Sequence, residues 1–392
     1  MGYNFKYANI SESPTIEEID NEIKRLQKLS NDFNNEQMAI KIFINSIYGA
    51  CASQFFVAYN PQLAEAITLQ GQDIIKFSSK VLNMYFHKYW KSDKALHNHL
   101  GITVIPDVVN DVAIYGDTDS VYCTFKEVVE GSDFEGDPID MILKIYKFRV
   151  KDYLQKAFEQ YAKKWNTTNI QEFELETISA AAILLAKKKY VLDIAWDEGI
   201  SFARQEKIKA KGVEIVQSST PVFARNKLKE LLKHLFKEKK DLNLKNFVGE
   251  LKKLKTDFMN SDINDITFSS SVGDYEKGIG NDVSKLEVLP HCPIHVRASG
   301  YHNYLINQNP KYKKKYSLIK SGDKVKFYHA TDDFGEPIVF AYLPGNFPYE
   351  IAPDVNYEIQ FQKAIIDPIN RFIDALGFQK LGSNLIISKQ LF

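Results

Sequence analysis

The stretch Tyr115-Gly116-Asp117-Thr118-Asp119-Ser120 constrains this chain more than any other. Short apolar runs flank it, Val112-Ala113-Ile114-Tyr115 before and Val121-Tyr122-Cys123-Thr124-Phe125 after. Each has the length and the β-branched or aromatic content of a strand. The acids therefore sit in the turn of a hairpin, with Gly116 easing the reversal. Such a tip can aim two carboxylates at one spot, and hard oxygen ligands suit Mg²⁺. A pair of ions about 4 Å apart is the usual device for in-line phosphoryl transfer. Taken alone, an Asp-X-Asp pair in a turn is more often a solvated turn former, so other segments must decide.

Lys41, Asn45 and Tyr48 are spaced i, i+4, i+7 and share one helical face. Ile42, Ile44 and Ile47 fall elsewhere and are expected to face a core. Gly49 then permits a close backbone approach or a helix stop. A cation, an amide and an aromatic ring on one stripe suit a triphosphate, a sugar or base edge, and a base pair; a solvated polar face has the same spacing. Lys187-Lys188-Lys189-Tyr190 follows the apolar run Ala180 to Ala186. Its lysines fit either a solvated edge strand or a rail for phosphates and minor-groove acceptors. Glu174 and Glu176 alternate with Phe173 and Leu175, which places both acids on one side of a strand.

Together these strings carry a resemblance. YGDTDS between two strands resembles motif C of the family B DNA polymerases. Lys41 to Gly49 resembles motif B, K-x-x-x-N-S-x-Y-G, and Lys187 to Tyr190 is similar to the K-K-x-Y segment that lines the primer–template minor groove. Here the run before it is more apolar than the family's Gly-containing segment, and Lys189 stands where this branch often has Arg. Two further segments look like thumb segments of the replicative polymerases of T-even-type bacteriophages. One is Lys207-Ile208-Lys209-Ala210-Lys211-Gly212 with Gln217-Ser218-Ser219-Thr220-Pro221, and the other is Cys292-Pro293-Ile294-His295-Val296-Arg297. Glu174 and Glu176 match an acidic pair that the branch places near the metals. The resemblance runs from about residue 15 to the end.

That resemblance implies an α+β fold, a partial right-hand polymerase. It would have a mixed antiparallel palm sheet with packed helices, a helical fingers segment and a mostly helical thumb. Residues 1–53 would be the fingers segment, 54–206 the palm and 207–392 the thumb with a C-terminal tail. The implied activity is addition of deoxynucleotides to a primer 3′ end with two Mg²⁺ ions, Mn²⁺ substituting. Asp117 and Asp119 would be catalytic metal ligands, with Glu176 a weaker one. Lys41, Asn45, Tyr48, Gly49 and Thr118 would bind the deoxynucleoside triphosphate. Lys187, Lys188, Tyr190, Lys209 and Arg297 would bind primer–template DNA. The family's motif A (an Asp followed by S-L-Y-P), its exonuclease D-x-E and its first fingers helix do not occur here. The expectation is therefore one half of a split polymerase, with motif A and the exonuclease on a partner chain. The opening Met1-Gly2-Tyr3 suits a natural start. The tail Ile386 to Phe392 either engages a sliding clamp or packs on the thumb. The rival reading is a non-catalytic subunit that grips primer–template or acts as a scaffold.

Composition narrows the rest. At 392 residues, two to three domain-sized units are expected. The formal net charge is +0, so nucleic-acid binding must rest on local stripes, Lys311 to Lys315 with Tyr312 and Tyr316 among them. Cys51, Cys123 and Cys292 form no paired spacing, which suits a reducing cytosol, inside an infected host cell if the source is viral. The longest apolar run falls far short of the roughly 20 residues that span a bilayer.

Among the secondary elements, Thr15 and Glu18 form a capping box before Ile16, Ile19, Ile23, Leu26 and Leu29. This predicts a helical hairpin with its tip near Asn31, or one interrupted helix. Helices are expected over 63–90 (with Gly71 packed closely, behind the hairpin), 138–164 and 243–259, and strands over 102–105, 112–125, 172–178 and 188–196. Helical character is expected from about 207. A late hairpin spans Val325 to Leu343, and a helix from Tyr357 to Leu376 kinks at Pro368.

Overall fold

The computed structural model describes residues 14–238, 241–280, 285–382 and 385. The expectations for Met1-Gly2-Tyr3 and for the tail Ile386 to Phe392 lie outside the described residues. The chain divides into two compact units, residues 1–136 with 147–171, and residues 137–146 with 172–392. Helices and strictly antiparallel pairings make it an α+β protein. Among the described residues no helix is long and apolar enough to cross a membrane.

The first unit opens with α1 (Ile16–Cys51), one helix of 36 residues. The capping box is present, with Thr15 accepting from the Glu18 backbone and Glu18 from that of Thr15. The break expected near Asn31 does not form. Asn costs a helix well under 1 kcal/mol, and no Gly or Pro interrupts Ile16 to Tyr48. Gly49 does not stop it either; the helix ends at Cys51 and is capped by Ala52. Ile42, Ile44 and Ile47, expected in a core, are 58%, 59% and 48% exposed.

Asn60 caps α2 (Pro61–Met84), with proline in its first turn. The expected continuation to residue 90 is there, but as a widened π turn (Tyr85–Tyr89) and a 3₁₀ turn (Trp90–Ser92). After α3 (Lys94–Leu100) come the strands β1 (Ala113–Asp117) and β2 (Ser120–Cys123), then α4 (Lys126–Gly131). Residues 102–105 are not a strand. Asp133 takes the donors a ladder would need, the Thr103 and Val104 amides (2.9 Å each) and the Thr103 hydroxyl. The unit closes with α6 (Lys151–Lys164), whereas α5 (Pro138–Ile145) belongs to the second unit. The aromatic core holds Phe86 against Trp90 and Phe125 (5.9 and 5.4 Å), and Tyr85 against Tyr153 (5.2 Å).

The second unit has two four-stranded sheets. In one, β4 (Lys189–Asp197) is central, with β3 (Thr177–Ala186) on one side and β5 (Ile200–Ser201) and β6 (Lys207–Lys211) on the other. Helical character thus begins beyond residue 207, with α7 (Val222–Glu238) and α8 (Leu244–Met259). Short α9 (Ile263–Ile266), β7 (Phe268–Ser271) and α10 (Tyr275–Gly278) lead to α11 (Ile294–Gln308) and α12 (Pro310–Lys315). In the other sheet, β8 (Lys324–Thr331) pairs with β9 (Pro337–Tyr342) along one edge and with β7 and β10 (Asp354–Val355) on the other. The late helix appears as α13 (Tyr357–Phe361), a π turn (Gln362–Ile366) and α14 (Asp367–Ala375), so the irregularity precedes Pro368. Leu232, Leu235, Phe247, Leu251, Ile369 and Phe372 share one core, on which Ile183 and Val191 of the first sheet also pack.

A carboxylate anchors the first unit. Asp93 accepts from the Leu96 amide (3.1 Å), the Tyr85 hydroxyl (2.9 Å) and Arg149 Nη2 (2.8 Å). Burial alone would raise its pKa; Arg149, the Leu96 amide and Tyr85 outweigh burial and hold it below the ordinary carboxylate range. A depressed folded pKa gives stability that is full above the unfolded value of about 3.9 and lost as pH falls through the folded one. Asp93→Asn is expected to lower stability by about 1.5–3 kcal/mol at pH 7. Urea unfolding between pH 7 and 2 should show the two proteins converging in acid, and a constant gap would contradict this role.

Candidate active site

The β1–β2 hairpin forms as the sequence predicts, with Asp117 opposite Ser120, Gly116 opposite Val121 and Tyr115 opposite Tyr122. Only Thr118 and Asp119 make the reversal. The residue that bears the left-handed conformation is Thr118, with φ 59°, and not Gly116. Gly116 serves packing instead. A Cβ there would come within 3.1 Å of Ile75 Cγ2 on α2. Gly71, expected behind the hairpin, has nothing within 4 Å of its own Cβ position. The hairpin is a two-stranded sheet by itself, since segments 102–105 and 172–176 carry no strand to extend it.

Its two acids differ. Asp117 is buried, 4% exposed, and its Oδ1 accepts from the Thr118 hydroxyl at 3.2 Å. The Asp117 carbonyl accepts from the Asp119 amide (2.7 Å) and the Ser120 hydroxyl (3.0 Å). Asp119 is exposed. Mg²⁺ is ordinarily held by one or two carboxylates, with phosphates and waters completing the octahedron. A paired aspartate tip, one acid fixed and one accessible, fits that donor set. Among the described residues no group of three or more His, Cys, Asp or Glu gathers to hold a metal.

The polar stripe Lys41, Asn45 and Tyr48 lies exposed near the end of α1. The Tyr48 and Thr68 hydroxyls share a hydrogen bond of 2.6 Å. Thr68 and Ile75 stand seven residues apart on α2, hence on one face and about 10 Å apart along the axis. One face of α2 thus receives both the end of the stripe and the back of the acid hairpin. Sequence reading missed Thr68 and Ile75, and their i, i+7 spacing was the available signal. Gly49 is exposed, with nothing within 4 Å of a Cβ position. Cys123 on β2 is a free thiol that burial pushes up to about 12.

The remaining candidates lie in the second unit. Lys187 and Lys188 form the reversal between β3 and β4, both exposed, whereas Tyr190 is buried. Register puts Lys211 opposite Tyr190, Lys209 opposite Leu192 and Lys207 opposite Ile194. Opposed residues share a face, so the three lysines form a row on the face away from Ile183 and Val191. Lys207 is committed within the row, pairing with Asp197 at 2.5 Å and lying 4.4 Å from the Phe202 ring centre. Glu174 and Glu176 are exposed and Phe173 and Leu175 half-buried, yet the segment is no strand, because the ladder with β4 begins at Thr177. Arg297 is exposed on α11. Lys311 to Lys315 form the helical turn α12, where Lys315 pairs with Glu350.

Comparison with known proteins points one way. The sequence pattern of DNA polymerase family B matches residues 17–288. The DNA-directed DNA polymerase of Enterobacteria phage T4 is 24% identical over 386 residues, covering 91% of this chain and 38% of that protein. That of Escherichia phage RB69 is 23% identical over 375 residues, covering 88% and 38%. The DNA polymerase catalytic subunit of Gallid herpesvirus 2 is 27% identical over 207 residues, covering 52% and 14%. The chain therefore spans well under half the length of these relatives.

The seat of the hairpin can be tested by a double-mutant cycle. Gly116→Ala is expected to cost up to about 1 kcal/mol, the part of the crowding that the half-buried Ile75 side chain does not relieve. In an Ile75→Ala background that cost should largely vanish. Additive losses in denaturant unfolding would show that the two residues are not in contact.

Proposed function

This chain belongs to the family B DNA polymerases, and from that premise we propose that it supplies the second fingers helix, the motif C palm and the thumb of a DNA-templated DNA polymerase. Residues 1–53, 54–206 and 207–392 are the three parts in this reading. The substrates are primer–template DNA and deoxynucleoside triphosphates, and the primer 3′ hydroxyl is extended by phosphoryl transfer. The observation that supports it most is the shared face of α2, which brings the Lys41–Asn45–Tyr48 stripe and the Asp117–Asp119 tip to one region.

In this reading Asp119, the exposed acid, is the main metal ligand, and Asp117 ligates or orients from its buried position. Thr118 sets the backbone of the tip. Bound Mg²⁺, or Mn²⁺ in its place, supplies activation of the nucleophile and neutralisation of the departing pyrophosphate. Lys41 offsets charge on the triphosphate, Asn45 helps hold it, and Tyr48 with Gly49 checks the nascent pair. Lys187 and Lys188 steady the primer end, buried Tyr190 supports them from within the sheet, and Lys209 and Arg297 contact the primer backbone. Glu176 is a weaker ligand candidate.

Two carboxylates are fewer than a two-ion clamp uses, so a motif A acid comes from a polypeptide outside these 392 residues, as does the exonuclease. The exposed isoleucines of α1 offer that polypeptide an apolar surface. The tail either contacts a sliding clamp or packs on the thumb, and the protein works in the cytoplasm of an infected host. A non-catalytic DNA-gripping subunit is the second reading, and an intact pair of acids at a strained tip disfavours it.

Primer extension tests the reading. The chain alone should extend poorly, and mixing with a polypeptide bearing motif A should restore synthesis. Asp119→Asn in the mixture should lower the rate on the order of 10³-fold or more. Equal extension by the chain alone and by the mixture would overturn the shared site.

A further inference from the structure

The lysine turn between β3 and β4 is held in a costly conformation. Lys188 has φ 61°, the left-handed region that residues bearing a Cβ avoid. Such a conformation persists only where the surroundings over-determine it. Those surroundings lie on the neighbouring strand. β6 runs beside β4 with Lys211 opposite Tyr190, and the chain then bends at Gly212, itself at φ 67°. A Cβ on residue 212 would overlap the carbonyl oxygen of Lys188, and would lie 3.1 Å from its carbonyl carbon and 3.3 Å from Lys189 Cγ. The first two are backbone atoms, so no side-chain rotation relieves the clash. Gln217 holds the glycine from its other side, donating Nε2 to the Gly212 carbonyl at 3.1 Å.

We propose that Gly212 is a positioning residue for DNA binding. Its missing Cβ gives the Lys188 carbonyl a seat, and that seat keeps the Lys187 and Lys188 side chains presented to backbone phosphates. The inference rests on the reading of this turn as a DNA contact. Gly212 carries no charge and no side chain, so its effect on phosphate binding must pass through the lysines.

Salt dependence separates this role from a merely structural one. Each phosphate neutralised adds about 0.9 to the slope of log Kobs against log salt. Binding of the 392-residue chain to a fluorescent primer–template duplex, well below its melting temperature, gives that slope. Lys188→Ala should reduce it by about 1. Gly212→Ala should reduce it by at least that amount although every lysine remains, and the double variant should lose no more than Gly212→Ala alone. Gln217→Leu, which removes the anchor without a backbone clash, should give a smaller loss in the same direction. It carries the test if Gly212→Ala does not fold. A lower slope for Lys188→Ala, with full slopes for Gly212→Ala and Gln217→Leu, overturns the positioning role and leaves the DNA reading intact. A full slope for Lys188→Ala overturns the DNA reading, and the positioning role with it.

Discussion

A reversal of two residues leaves a chain no slack, and the β1–β2 hairpin has only Thr118 and Asp119 to make it. The side chains at either end are fixed by register, and the strain at Thr118 is borne because the ladder on one side and α2 on the other leave no alternative. Two neighbouring aspartates consequently meet opposite environments, one closed in and one in water. Everything else assigned to the first unit follows from where α2 puts this tip. The helix that seats the hairpin also receives the Tyr48 hydroxyl, so the cationic stripe and the acids are referred to one rigid element.

The second unit handles charge differently. Net charge is +0 over the whole chain, yet β6 carries lysine at every second position, opposite Tyr190, Leu192 and Ile194 on the face away from Ile183 and Val191. Not every member of that row is available to a partner. Asp197 claims Lys207, and although burial pushes the Asp197 carboxyl up, Lys207 and the Thr177 hydroxyl outweigh it and hold it low. The row therefore includes an ion pair to the neighbouring strand.

The acid hairpin was legible because alternation and turn chemistry act over a few residues. The capping box at Thr15 and the late hairpin were legible for the same reason. What failed depended on partners far along the chain. No local signal showed that Asp133 would take the amides of Thr103 and Val104 and so cancel a strand. Nor could spacing tell that Gly116 serves packing against Ile75 while Thr118 carries the positive φ. The isoleucines of α1 looked like core residues because periodicity reports that a face is apolar and not what covers it. Glu174 and Glu176 kept their alternating exposure without the ladder that would make them a strand.

The widened turn at Gln362–Ile366 bears on length as well as shape. A π turn accommodates one residue more than a plain α-helix needs, and each residue in a helix advances about 100° around the axis. Deleting one residue within the turn would let it close as plain α-helix and leave α14 facing as it does. A second deletion, with no spare residue left to absorb it, would swing the whole of α14 by over a quarter of a revolution. Ile369, Phe372 and Ile373 would then leave the core, and Asn370, whose side chain now makes two hydrogen bonds to the Leu381 backbone, would be turned toward it. The turn thus makes this stretch tolerant of losing one residue and of no more.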